Sequence, residues 1–218
     1  DCAGGAAMMA WGISSALIPA MRDGKGQVVD AAIVDGISYL ATFARSFYQA
    51  GHINDQRGGE WMDGAAPWNR TYRCLDGGYI TVCSVEARFY GILLEKLELN
   101  KHPLFAESNQ WDKARWPEQV DHLCALFATQ TRDHWTNLLA GSDACFAPVL
   151  SYGEAHLHPH NISRQSYIEV DGQWYPQPAP KFGSTPAEPA WREQANKSTS
   201  EILRELGLAI DLPGIADA

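Results

Sequence analysis

Residues 71–85 place strand-forming residues on both sides of Asp76-Gly77-Gly78, and that arrangement leaves this part of the chain few options. An Asp-Gly-Gly step between two such runs is a hairpin turn, because glycine takes the positive φ that tight turns demand. Strands are expected near Thr71–Leu75 and Tyr79–Val85. A loop, Gly64-Ala65-Ala66-Pro67-Trp68-Asn69-Arg70, leads into them, and Glu86 stands where the second strand gives way to a helix. Such a junction can hold an acid–base group rigidly at the edge of a site.

The flanking segments read mainly as helices. Ala6 to Arg22 has apolar residues at Met8, Met9, Ile13, Leu17, Ile18 and Met21, close to helical spacing, and Asp23-Gly24-Lys25-Gly26 stops it. Val28 to Tyr48 is a second helix or a short strand passing into one, since Val28, Val29, Ile33 and Val34 are β-branched. Residues 51–66 form a loop. Arg88 to Leu99 is helical, with Phe89, Leu93 and Leu97 on one face. Further helices start at Trp116-Pro117, where proline suits the first turn, and at Thr131, ending at Gly141. Cys145 to Leu150 is a short apolar strand, and Ser151 opens another helix. Tyr167–Val170 and Gln173–Tyr175 read as a second hairpin around Asp171-Gly172. Pro176 to Pro189 holds five prolines and makes an extended connection. Ser198 to Leu206 is a last amphipathic helix. The fold class is therefore α+β.

Composition narrows the functions. A net charge of −9 argues against general nucleic-acid binding, since nothing would neutralise phosphates. Five cysteines without paired spacing, Cys2, Cys74, Cys83, Cys124 and Cys145, fit free thiols in a reducing compartment, and a disulfide between some two of them is the alternative. The most apolar run, Ala6 to Met21, is broken by Ser14, Ser15 and Pro19 and reads as too short to cross a bilayer. No signal peptide is recognisable, and the expected location is cytoplasmic, with no membrane partner. His156, His158 and His160 alternate, but no further ligand set accompanies them, so no metal is expected. The eight tryptophans read as core and interface anchors. There is neither a phosphate-cradling glycine loop nor a dinucleotide fingerprint.

Glu86 followed by Phe89-Tyr90 closely resembles the α-methylacyl-CoA racemase branch of the family III CoA-transferases, the CaiB/BaiF superfamily. The resemblance extends over Gly24-Lys25-Gly26-Gln27-Val28-Val29-Asp30-Ala31, Asp143-Ala144-Cys145-Phe146-Ala147-Pro148-Val149-Leu150, Pro178-Ala179-Pro180 with Thr185-Pro186-Ala187, and Glu201-Ile202-Leu203-Arg204-Glu205-Leu206-Gly207-Leu208. It implies connecting helices of a large domain at 1–52, a small α+β domain at 53–150, and a C-terminal return to the large domain at 151–218. It also implies an interlocked homodimer. Roughly the first half of such an enzyme, with most of its coenzyme A pocket, would lie upstream of Asp1, so these 218 residues alone are not expected to be active.

Racemising a 2-methylacyl-CoA removes a proton beside the thioester carbonyl and returns it on the opposite face. Two proton-transfer groups must flank that carbon, and the enolate oxygen needs stabilising. The resemblance assigns Asp1 to one proton transfer. It gives Gly4 and Gly5 to the thioester oxygen, as amides at a helix start. Glu86 would support a histidine lying upstream of this sequence. Trp68 and Asn69 would line the acyl pocket. Cys2 and Ala3, and Asn69 itself, depart from the racemase pattern. Without the resemblance, Asp1 would read as a helix cap and Glu86 as a solvated first-turn carboxylate. In the transferase branch the matching aspartate is a nucleophile that forms a mixed anhydride, and Asp1 alone does not separate the two chemistries. A non-catalytic dimerising remnant is the third reading. Coenzyme A enters only as part of the substrate, and no tightly bound cofactor is expected.

Overall fold

The computed structural model describes residues 1–187, 198–205 and 207. Two compact units emerge, Asp1–Val149 and Leu150–Ala218. In the first, a π-helical turn Cys2–Ala7 runs directly into α1 (Met8–Asp23), which ends at Gly24 with φ 70°. The combined helix is 22 residues long and apolar enough to cross a membrane by length and composition. The expectation that this run is too short is thus corrected: helix continues through Pro19, so the serines and the proline do not interrupt it.

Residues 28–32 are not helical, and the expected second helix begins only at Ile33. It divides into α2 (Ile33–Leu40) and α3 (Thr42–Gln49) at Ala41. α2 packs on the π-helical turn through glycine. A Cβ on Gly36 would meet the Gly4 carbonyl oxygen at 2.0 Å, and one on Gly4 would meet Ile37 at 2.8 Å. Most apolar side chains of α1–α3 are nonetheless exposed, among them Trp11, Ile18, Met21, Val34, Tyr39 and Phe43.

A three-stranded antiparallel sheet follows, in the order β1 (Asn69–Arg73), β2 (Tyr79–Cys83), β3 (Phe146–Val149). Asp76 fixes the hairpin turn and also reaches forward. Its carboxylate accepts from the Gly78 amide at 3.1 Å and from the Arg132 amide at 3.2 Å. Ile80 and Val82 are fully buried, whereas Tyr79 and Cys83, on the other face, are exposed. α4 (Ala87–Lys96), α5 (Trp116–Phe127) and α6 (Arg132–Leu139) close the core. α4 buries Tyr90, Leu93 and Leu94, and Leu97 at its C-cap is buried too; of the expected face Leu93 and Leu97 are in the core, while Phe89 is only half-buried and Tyr90 takes its place.

The second unit holds α7 (Tyr152–Ala155), α8 (Pro159–Ser163), the hairpin β4 (Tyr167–Val170) and β5 (Gln173–Pro176), and α9 (Thr199–Glu205). Leu206, expected to close the last helix, and Pro189 of the proline-rich connection lie outside the described residues.

Candidate active site

Glu86 is the N-cap residue of α4, with extended backbone (φ −77°, ψ 141°), and its side chain makes no capping hydrogen bond. The carboxylate is exposed and has no hydrogen-bond partner among the described residues. Asp1 occupies the equivalent position before the π-helical turn. Its carbonyl accepts from the Gly5 and Ala6 amides at 3.0 and 2.8 Å, but its carboxylate caps nothing. An acidic residue at a helix start is usually spent on the helix's own amides. Both of these carboxylates are unspent.

What holds Glu86 in place lies beneath it. The Gln110 side chain, 2% exposed, donates to the Ser84 and Val85 carbonyls at 3.1 and 2.8 Å. Ser84 is fully buried; its amide donates to the Trp68 carbonyl at 2.8 Å and its hydroxyl to the Ala144 carbonyl at 2.7 Å. The Trp68 and Trp116 indoles both donate to the Gln110 carbonyl, at 2.8 and 2.9 Å. The Ser84 amide, hydroxyl and carbonyl and the Val85 carbonyl are thus all hydrogen-bonded in the two residues before Glu86. Gln110 and Ser84 do not stand out in the sequence, because the partners of their side chains are 25 or more residues away.

Trp68 is 0% exposed, with ring centroids of Trp61, Trp111 and Trp116 at 6.1, 4.6 and 6.1 Å. The acyl-pocket role expected for it is replaced by a core role: it anchors the network under Glu86. Asn69 is half-buried, donates to the Trp61 carbonyl at 2.8 Å, and stands opposite Cys83 in the ladder. Asn69, Cys83 and the Cys145 end of β3 thus gather on the open side of the sheet, with Glu86 just beyond. Gly4 and Gly5 are buried against α2, and the Gly5 amide is used inside the helix start. No hydrogen bond or ion pair among the described residues joins Asp1 to Glu86.

Burial holds the Tyr90 hydroxyl well above the usual tyrosine range, and its oxygen has no hydrogen-bond partner among the described residues. Burial, then the negative charge of Glu86, pushes the Cys145 thiol up. Among the described residues no three of His, Cys, Asp and Glu are grouped to hold a metal ion. His156 instead stacks on Trp174 with centroids 4.5 Å apart.

Comparison with known proteins places these features. The profile described as CoA-transferase family III matches residues 1–195. The chain is 37% identical to alpha-methylacyl-CoA racemase of Mus musculus over 213 residues, covering 96% of this chain and 55% of that protein. It is 38% identical to the Homo sapiens racemase over 212 residues, again covering 96% and 55%. The chain thus spans about half the length of the curated relatives it matches. Among solved structures, a CAIB/BAIF family protein from Brucella suis superposes with TM-score 0.61 at 22% identity, covering 80% of this chain and 46% of that one. The Rv3272 protein of Mycobacterium tuberculosis gives 0.62 at 17%, covering 84% and 48%. At such identities the likeness bears on the fold alone.

Proposed function

We propose, for a chain that belongs to CoA-transferase family III, the chemistry of a 2-methylacyl-CoA racemase: removal of the proton next to the thioester carbonyl and its return on the other face. The observation that carries this reading is the pair of unspent helix-start carboxylates, Asp1 and Glu86. Asp1 serves as one proton-transfer group. Glu86 acts through another residue, orienting and charging the partner base on the opposite face of the substrate, and the Ser84–Gln110 network gives it the rigidity that this requires. The helix start at Gly4 and Gly5 favours negative charge developing on the thioester oxygen through its dipole, the Gly5 amide itself being spent on the Asp1 carbonyl. The racemase relatives support the reaction type, and coenzyme A belongs to the substrate.

The exposed apolar residues along α1–α3 support assembly as a homodimer, since contiguous exposed apolar surface marks interaction sites. The same reading puts Cys2–Asp23 at a protein interface rather than in a bilayer, and the protein in the cytoplasm.

The family's own description, together with a 28% identical relative from Fusarium pseudograminearum described as an acyl-CoA transferase, favours a second reading. In it Asp1 forms an anhydride with the acyl group and the substrate's α-proton never moves. One experiment separates the two. The protein, with any segment preceding Asp1, is incubated with a 2-methylacyl-CoA in deuterated water and, separately, with the same acyl-CoA in the presence of hydroxylamine. Racemase chemistry predicts α-deuterium incorporation and no hydroxamate at Asp1. A hydroxamate at Asp1 with no deuterium uptake would establish the transferase instead.

A further inference from the structure

β2 and β3 run antiparallel, with Thr81 opposite Ala147 and Val82 opposite Phe146. One further step in that register sets Cys83 opposite Cys145, and the Cys83 amide donates to the Cys145 carbonyl at 2.9 Å. In a regular hydrogen-bonded pair the Cα atoms are about 5.5 Å apart and the side chains share a face; Cys145 stands one residue outside β3, at the edge of that regular register. A disulfide accepts Cα separations of about 4.4–6.8 Å but wants its Cβ atoms about 3.5–4.5 Å apart, so the pair is within range once the Cβ atoms, about 4.5–5.5 Å apart in a regular ladder, draw together. The face is open: Cys83 is exposed and Cys145 half-buried. Cys145 holds φ 50°, a left-handed conformation uncommon outside glycine, at the point where the chain enters β3. Cys83 is near enough to be among the groups that push the Cys145 thiol up, after burial and Glu86. The remaining cysteines are placed differently. Cys74 is buried at the end of the hairpin, Cys124 lies on α5, and Cys2 opens the π-helical turn.

We propose that Cys83 and Cys145 form a modification site, a dithiol that closes to a cross-strand disulfide when the protein meets a low-molecular-weight disulfide such as oxidised glutathione. Cys83, the more exposed, gives its proton to solvent, and its thiolate attacks one glutathione sulfur. That breaks the glutathione S–S bond, releases one glutathione thiolate and leaves a mixed disulfide on Cys83. Cys145 then loses its proton and attacks the Cys83 sulfur, expelling the second glutathione. Two protein thiols are oxidised and one glutathione disulfide is reduced to two thiols. Because the Cys145 thiol is held above its ordinary value, the closing step is slow at neutral pH and quickens as pH rises through the thiol range. The bridge ties the end of β2 to the start of β3, three residues before Glu86. It does not depend on the reaction proposed above.

The test is to treat the full chain with oxidised glutathione and map its peptides without reduction. The expected product has lost two thiols, carries one linked peptide pair containing Cys83 and Cys145, and returns to the starting mass with dithiothreitol. Its Tm rises, because the bridge restricts the unfolded chain. Cys83→Ser and Cys145→Ser should each give a stable glutathione adduct on the remaining partner and no linked pair. Separate, persistent adducts on both cysteines of the unaltered protein would overturn the proposal. So would a bridge involving Cys2, Cys74 or Cys124, or thiols that stay reduced while an unfolded control oxidises.

Discussion

Replacing Gln110 by leucine isolates the forces that hold Glu86. Leucine fills nearly the same volume, so little cavity forms, and the Gln110 carbonyl still accepts from Trp68 and Trp116. What is lost is the side-chain amide that donates to the Ser84 and Val85 carbonyls. The Ser84 residue is fully buried, so water does not readily replace the bond there. A buried polar group stripped of its partner costs about 1–3 kcal/mol, and a partly buried one less, so the variant should lose about 3 kcal/mol. For a chain of this length about 1 kcal/mol moves Tm by about 2–4 °C, which predicts a fall of about 6–12 °C. Urea unfolding followed by tryptophan fluorescence reads the loss, because Trp68 and Trp116 sit on the same network. Hydrogen exchange localises it: amides from Val85 to Arg88 should exchange faster while those of β1 do not. A loss below about 1 kcal/mol with unchanged exchange at the start of α4 would refute the reasoning, leaving Gln110 as filler and not as the tie beneath Glu86.

Three further outcomes follow from the same coordinates. Tyr90→Phe removes a buried hydroxyl that has no hydrogen-bond partner among the described residues, so stability should stay level or rise by up to about 1 kcal/mol; a loss above about 1 kcal/mol in thermal unfolding would reveal a bond to that oxygen. Gly36→Ala drives a methyl group into the Gly4 carbonyl and should cost about 1–3 kcal/mol or more, read as separation of the π-helical turn from α2 by hydrogen exchange at Gly4–Ala7; unchanged protection would contradict the close contact. Alkaline titration should destabilise the fold. Burial raises Tyr72 and Cys74 in the folded state above their ordinary 10.0 and 9.0, so their contribution is complete below those values. As pH rises past about 9.0 and then 10.0, the unfolded chain ionises first and stability falls. Tyr72→Phe should flatten the upper part of that fall, and a pH-independent midpoint from 8 to 11 would count against it.

The hairpin was legible because its information is local: Asp76-Gly77-Gly78 specifies the turn, and the strands on either side are bounded within a few residues. α5 and α6 were legible for the same reason, with proline at the first turn of one and Thr131 accepting from the His134 amide at the start of the other. The division of 28–49 into an extended stretch and two short helices was not. Val28, Val29, Ile33 and Val34 signal β structure and helix about equally, and the glycine contact that seats α2 is made with Gly4, far upstream. Glu86 was placed correctly at a strand-to-helix junction, yet nothing near it in sequence names its supports. Gln110 reaches back across 25 residues and Ala144 closes on Ser84 across 60. Trp68 shows the opposite failure. Its position in a motif suggested a pocket wall, while its size and its indole N–H suit it to the centre of a tryptophan cluster.

The central claim is that Glu86 is a positioning carboxylate for α-proton transfer, and Glu86→Gln tests it most directly. Glutamine keeps the size and the junction but removes the charge that would bias a partner base. The measurement is the rate of α-deuterium incorporation into a 2-methylacyl-CoA, resolved into kcat and KM, for the protein with any segment preceding Asp1. The account predicts that kcat falls by about 100-fold or more while KM and the Tm stay close to those of the unaltered protein. A variant that exchanges the α-proton at the normal rate, or that loses activity only through weaker acyl-CoA binding, would contradict it.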